Sequence, residues 1–397
     1  MKLLFIVFIF LLPVFAYAQN ILKGIVTDEN DLPIPDASVF LSNTSVGTKA
    51  DSRGSFQLRI PNGRFDLIVS SIGFQISQQN ISSAELPPLL HIKMKVKTEE
   101  LENLIIEPFE KNGWEKWGLF FTQNFIGTTG QASDCRIINK DAIRFRYSKT
   151  KNELVAVATE PLVIQNKALG YTITIELESF RYEFNTRYLI YIGYPYFEEM
   201  KGSASKMRKW KKERNEAYYG SIMHFMRSLY RNRLIEEGFE IRRLHKFPNT
   251  EKQRVKAIYA GNTKRTPGGI FVSGRINSDS ADYYEKILKQ PDVFRMIGKD
   301  KLPGDSIAYA IDPVKAGLEF TNYLLIIYNK LAPKEYRMQY PESSTSMMSD
   351  ITLVNGNPLQ VEVNGNYYDP SEMLSSGYWA WSEKISLLLP YEFKPSG

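Results

Sequence analysis

Phe56-Gln57-Leu58-Arg59-Ile60-Pro61-Asn62-Gly63-Arg64-Phe65-Asp66-Leu67-Ile68-Val69 sets apolar residues at every second position on both sides of Pro61-Asn62-Gly63. A period of two marks a half-buried strand, and Asn-Gly accepts the positive φ of a tight hairpin. The stretch is therefore expected to be two antiparallel strands. Upstream, residues 21–26 and 37–41 read as further short strands, parted by Asn30-Asp31 and by Pro33 and Pro35. Short strands at close spacing with Gly, Pro and Asn turns predict a β-sandwich.

Several residues of this module share one pattern: Gly24-x-Val26-x-Asp28, Pro35-x-Ala37-x-Val39, Gly47-Thr48, Asp51-x-x-Gly54-x-Phe56, Pro61-x-Gly63 and Ser71-Ile72-Gly73-Phe74. Together they resemble the carboxypeptidase regulatory-like domain, over residues 21–96. The resemblance implies a seven-stranded, transthyretin-like sandwich. It also implies an accessory module, of the kind that precedes outer-membrane receptors and other secreted domains in Bacteroidetes-type bacteria. It does not imply a peptidase. Zinc carboxypeptidases use a His-x-x-Glu pair, whereas His91, His224 and His245 are followed three residues later by Met94, Arg227 and Pro248. No metal and no cofactor is expected.

Residues 1–18 read as a secretory signal peptide. Lys2 supplies the positive start, Leu3 opens an apolar run to Phe15, and Ala16-Tyr17-Ala18 forms a small-x-small cleavage site. That run is shorter than the roughly 20 residues needed to span a bilayer. An exported protein, periplasmic or associated with the outer membrane, is expected. Cys135 is the only cysteine, so no intrachain disulfide can form, and its expected role is that of a small buried apolar residue. The expected organisation is signal peptide 1–18, sandwich 19–96, linker 97–112 and an α+β region 113–397 with a sub-boundary near 250–265. The fold class is mainly β, α+β.

In the larger region, residues 142–147 and 154–164 read as strands. Residues 171–184 and 188–196 read as a long hairpin around Asn185-Thr186. Residues 206–237 carry helical periodicity with a break near Gly220. There Ile222, Met226, Leu229, Tyr230 and Leu234 form an apolar stripe, and Ser221, His224, Arg227, Ser228 and Arg231 form the opposite, polar side. Strands are expected at 239–244, 254–259, 270–274 and 318–328, with a short helix at 281–289. Asn355-Gly356 and Asn364-Gly365 predict a meander over 351–368, followed by a helix over 371–388 after Asp369-Pro370. The run from Val363 to Tyr391 is similar to the ends of Bacteroidetes proteins that carry the same front domain and have no assigned role.

The net charge of +6 is concentrated: residues 201–243 hold 12 Lys or Arg against 5 Glu. Lys206, Arg208, Lys209, Trp210, Lys211, Lys212 and Arg214 are the candidate contact with a partner or lipid. An acidic protein surface and an anionic lipid are the partners weighed, beside plain solvated helix surface. Nucleic acid is not expected outside the cytoplasm. Tyr367, Tyr368, Tyr378, Trp379 and Trp381, with Tyr191, Tyr194 and Tyr196, are candidates for glycan stacking, against a packing role. No nucleophile elbow, His-Glu-x-x-His, phosphate loop or Gly-x-Gly-x-x-Gly appears, and no catalytic residue is assigned. The expected function is a non-catalytic envelope protein with a binding or assembly role, its partner an envelope or outer-membrane protein. The alternatives are an envelope hydrolase acting on glycan or peptide and a surface-glycan-binding protein.

Overall fold

The computed structural model describes residues 20–97, 108–261, 263–265, 271–273, 278–312, 314–341 and 346–396. The expected signal peptide and most of the expected linker lie outside the described residues. The chain is mainly β with α-helices, as its patterning predicts.

The front module is a sandwich of seven strands. These are β1 (Ile21–Thr27), β2 (Ser38–Leu41), β3 (Gly47–Lys49), β4 (Ser55–Arg59), β5 (Arg64–Ser70), β6 (Ser77–Ser82) and β7 (Leu90–Lys93). One sheet has the order β4-β1-β7, the other β3-β2-β5-β6. Leu22, Val26, Val39, Leu58, Leu67 and Val69 interdigitate between them. The expected hairpin is split: β4 and β5 belong to different sheets, and Pro61-Asn62-Gly63 carries the chain across the sandwich. Ile68 is fully buried although it faces away from that core, as is Phe40 at 5% exposure. The larger region covers this outer face.

The larger region opens with α1 (Gly113–Phe125), which the sequence reading had not placed. It lies on a six-stranded sheet of β8 (Cys135–Ile137), β9 (Ile143–Ser148), β10 (Glu153–Ala158), β11 (Leu162–Asn166), β12 (Tyr171–Glu183) and β13 (Tyr188–Glu199). The order is β8-β11-β12-β10-β9, with β13 paired to β12 in the expected long hairpin. Phe121 of α1 stacks on Phe125 and meets Phe145 and Phe180 of the sheet edge-on in the core. Cys135 is buried there, and burial pushes its thiol up to about 12.

The helical stretch is broken where Gly220 takes φ +89°. It becomes α2 (Ala204–Tyr218), capped by Ser203, and α3 (Ile222–Tyr230), capped by Ser221. The second core lies beneath α3. Its five-stranded sheet runs β17-β14-β20-β21-β24, from β14 (Phe239–Pro248), β17 (Val293–Lys301), β20 (Tyr323–Leu331), β21 (Ser346–Leu353) and β24 (Met373–Gly377). Between β14 and β17 the chain makes an excursion through α4 (Thr250–Gly261), the hairpin β15 (Thr263–Arg265) and β16 (Phe271–Ser273), and α5 (Ser278–Lys289). A smaller sheet, β18-β19-β22-β23, is built from β18 (Ala308–Asp312), β19 (Lys315–Leu318), β22 (Leu359–Glu362) and β23 (Tyr367–Tyr368). Two short helices, α6 (Lys334–Gln339) and α7 (Tyr378–Ser382), close this core.

Four expectations are corrected here. Residues 254–259 are helical, inside α4. Residues 318–328 divide between two sheets, because Asn322 at φ +61° turns the chain. The expected meander is likewise split: Asn364-Gly365 joins β22 to β23, whereas Asn355-Gly356 passes the chain from one sheet to the other. The helix expected over 371–388 is strand β24, the short α7 and a 3-10 turn, since Met373–Leu374 complete the edge of the five-stranded sheet beside β21. The sub-boundary expected near 250–265 falls inside the excursion between two paired strands. Tyr219 packs against both cores.

Candidate functional site

The candidate basic residues sit on α2, and the helix sorts them. Trp210 and Arg214 point inward at 6% and 8% exposure. Residues four apart share a helix face, so these two form one ridge. Trp210 fills a notch floored by glycines: a Cβ on Gly170 would stand 2.2 Å from its Cδ2, and one on Gly202 2.8 Å from its Cη2. Its Nε1 donates to the Lys167 carbonyl at 2.9 Å. Arg214 donates to the Leu169 and Gly170 carbonyls, pairs with Glu199 at 2.6 Å and lies 3.8 Å over the Tyr171 ring. These two residues are thus anchors and are withdrawn from the candidate contact surface. Trp210→Ala is expected to destabilise the chain by about 3–5 kcal/mol, read as a lower urea midpoint; an unchanged midpoint would remove the anchoring role.

On the outer side, Lys206, Arg208, Lys209, Lys211 and Lys212 are exposed. Lys212 pairs with Glu216 at 3.6 Å. The other four have no acidic partner among the described residues. The α2 surface is therefore a rigid cationic face with Met207, 41% exposed, as its large apolar residue in solvent.

The aromatic candidates are distributed differently. Tyr378, Trp379 and Trp381 are at most 6% exposed and form part of the second core. Trp379 Nε1 donates to the Gly220 carbonyl at 2.7 Å, and Trp381 packs at a tilt against Tyr336 at 5.2 Å. Their expected stacking role is corrected to packing. Tyr367 and Tyr368 are half-buried in the β22–β23 hairpin, where desolvation raises both hydroxyls well above the ordinary value. Tyr191 meets Phe125 edge-on at 5.2 Å, and Tyr194 donates to Gln78 of the front sandwich at 2.9 Å.

Tyr194 and Tyr196 belong to the seam between front sandwich and larger region. Asn43 N donates to the Pro195 carbonyl at 2.7 Å and Phe197 N to the Thr44 carbonyl at 2.9 Å, so β13 extends its ladder into the front module. Tyr196 packs on Phe40 at 5.6 Å, over Gly47, where a Cβ would come within 2.8 Å of its ring. The C-terminal tail joins in: Tyr391 N donates to the Asn43 carbonyl at 2.7 Å, and Glu392 accepts from Ser45 N.

Three carboxyls are raised by burial at this seam. Glu176 accepts from Ser70 Oγ of the front module. Asp66 is raised chiefly by desolvation. Glu362, 3% exposed, accepts from Arg64 N at 3.3 Å, and desolvation pushes it up to about 7. Its Oε1 and the Tyr368 hydroxyl have no hydrogen-bond partner among the described residues. A fourth, Glu383, takes the Ile222 N–H at the start of α3 and is pushed up to about 7 by burial. None of the four lines the open groove of the second core, whose rim instead carries the exposed carboxyls of Asp305 and Glu319.

Sequence reasoning missed the seam and Arg227. Most of the expected polar side of α3 is not wet: Arg231 is exposed and Ser221 half-buried, but the middle of that side is enclosed. His224, Arg227 and Ser228 are at most 5% exposed, because α3 is enclosed by both cores and the tail. His224 Nδ1 accepts from Gly220 N, its Nε2 faces Glu237 at 3.2 Å, and burial lowers its pKa. Arg227 donates to the carbonyls of Asn364, Tyr391 and Phe393 at 2.7, 2.9 and 2.9 Å. An Arg between apolar helical positions was the available signal, but only long-range contacts show what it holds.

Among the described residues, no group of three or more His, Cys, Asp or Glu could hold a metal ion, and no helix is long and apolar enough to cross a membrane. The TonB-dependent receptor SusC of Bacteroides thetaiotaomicron is 33% identical over 92 residues, 23% of this chain and 9% of the receptor. The match thus spans less than a tenth of that relative. A DUF3823 family protein from Bacteroides ovatus covers 46% of this chain and 82% of its own at 10% identity, with a TM-score of 0.17. A putative membrane-associated protein of unknown function from Bacteroides fragilis covers 90% and 94% at 9% identity, with a TM-score of 0.16. Likenesses at that level carry no argument about fold or role. The sequence model of the CarboxypepD_reg-like domain family matches residues 22–106. That match and the seven-stranded sandwich of residues 21–93 agree, and the front of this chain is a carboxypeptidase regulatory-like domain.

Proposed function

We propose that this chain is an exported cell-envelope protein with a non-catalytic binding or assembly role, docking an acidic partner protein on the outer face of α2. The observation that carries this reading is the set Lys206, Arg208, Lys209 and Lys211, held without counter-charge on a helix that Trp210 and Arg214 fix in place. A fixed cationic face favours encounter with an acidic surface and sets orientation. Insertion into lipid is the weaker reading, because Trp210, the aromatic that would enter an interface, is spent on the Gly170 notch. The front domain serves this role by rigidity: its outer face is closed by the larger region, and the seam makes one body of the two.

The test is a tagged pull-down of the exported chain from detergent-solubilised native envelope. The comparison is a variant with Lys206, Arg208, Lys209 and Lys211 each changed to Glu. Stoichiometric recovery of an envelope protein, lost in the variant while Tm is retained, is the expected result. Equal recovery by both proteins would defeat the assignment to α2. Capture of anionic vesicles but of no protein would replace the protein partner by lipid.

A further inference from the structure

A second surface lies on the other core, far from α2 in the chain and independent of the reading above. An open groove of about 570 Å³ runs between the end of the five-stranded sheet and the β18–β19 hairpin. That volume is in the range of small-ligand sites. Its floor is apolar: Leu324, Leu353 and Ile307 are buried beneath it.

Its rim is polar and unspent. Arg243, Asp305, Glu319, Thr321 and Asn322 are exposed, and their side chains make no hydrogen bond or ion pair with other described residues. The rim therefore offers a guanidinium, two carboxylates, an amide and a hydroxyl, donors and acceptors interleaved.

One wall is an aromatic ring laid flat. Tyr309 stands opposite Gly317 in the β18–β19 ladder. Its ring lies over that glycine, where a Cβ would come within 2.6 Å of Cζ. One side of the ring is thus supported by backbone, while the residue remains 47% exposed beside the groove. Phe320, half-buried, supplies a second ring.

We infer that this groove binds a neutral oligosaccharide. A purely apolar ligand would desolvate the rim without satisfying it, which costs free energy for every stranded group. A strongly anionic ligand would face Asp305 and Glu319, while a cationic one would pair with those carboxylates but leave the Arg243 guanidinium opposed and the hydroxyl and amide unused. A sugar chain has no net charge, carries hydroxyls that donate and accept at once, and presents a C–H face suited to a supported ring. These properties match the mixed rim, the apolar floor and Tyr309 together.

The experiment is calorimetric titration of the exported chain with four neutral hexaoses (malto-, cello-, xylo- and laminari-), repeated with Tyr309→Ala, Tyr309→Phe and Arg243→Gln. At least one sugar is expected to bind with millimolar or tighter affinity. Tyr309→Ala should weaken it about tenfold, equivalent to about 1.4 kcal/mol, while Tyr309→Phe keeps the ring and the affinity. Tyr309 sits on an exposed strand, so an unchanged Tm is the control for folding. The inference is overturned if none of the four sugars binds saturably, or if binding ignores Tyr309→Ala. A Tyr309-dependent extended peptide in place of sugar would overturn it as well.

Discussion

Replacing Arg227 with Met is expected to lower the unfolding free energy by about 3–5 kcal/mol. Arg227 is 5% exposed and has no carboxylate partner among the described residues; three backbone carbonyls satisfy it. Met fills a similar space but strands those acceptors in a dry environment, where each unsatisfied group costs about 1–3 kcal/mol. The effect extends beyond α3. Arg227 holds the Asn364-Gly365 tip, where Gly365 at φ +87° presses against the helix and a Cβ would meet the Met223 carbonyl at 2.9 Å. It also holds Tyr391 and Phe393, and Tyr391 in turn is bonded to Asn43 of the front domain. One side chain thereby ties the second core, the tail and the front sandwich. Arg227→Met should shorten the protection of the tail amides in hydrogen exchange as well as lower the urea midpoint. Arg231→Met, one turn on and exposed, is the comparison and should stay within about 0.5 kcal/mol of the parent. Equal midpoints for the two variants would show that the carbonyl contacts carry no net stability.

The second large effect is a dependence of stability on pH that originates in the seam. Desolvation raises Glu362 to about 7 and raises Asp66 and Glu176 above the ordinary carboxyl range. Raised carboxyls bind protons in the folded state at pH values where the unfolded chain has released them. Between the ordinary Glu value of about 4.3 and about 7, the folded state holds the extra proton, so stability falls as pH rises through this window and levels off above it. Groups facing Glu362 moderate the shift without reversing it. Arg64 and Lys315 favour its charged form, and Asp66 disfavours it. Glu362→Gln keeps the acceptor for Arg64 N and removes the charge. It is expected to stabilise the protein by about 1–3 kcal/mol at pH 8 and to leave it nearly unchanged at pH 5. Urea titrations of both proteins at the two pH values measure this. A Gln variant with the parent's full pH slope would place the dependence in other groups.

The front sandwich was legible because its information is local. Period-two alternation in Phe56-x-Leu58-x-Ile60 and Phe65-x-Leu67-x-Val69 selects strand and face, and turn glycines such as Gly54 at φ +71° punctuate it. The helices of residues 204–230 were legible for the same reason, including the break at Gly220. Helix α1 could have been read from Trp114, Gly118, Phe121 and Phe125, spaced at helical intervals. The functional candidates were less legible, because residue type does not state direction. Trp210 and Trp379 look like stacking residues in a string of letters, yet the notch at Gly170 and the carbonyl of Gly220 claim them.

The sequence alone determined the β-sandwich, the family of its front domain, the clustering of positive charge on one helix and the lack of cysteine pairing. Each depends on composition or on spacing within a few residues. Tertiary structure alone decided that Phe40 and Ile68 face a second domain and that the two Asn-Gly turns serve different ends. It also decided that Arg227 and Glu362 are buried while Tyr309 lies open on Gly317. Those outcomes depend on which distant segment covers a given face, and burial, with the desolvation and pairing it imposes, is a property of that contact and not of the residue.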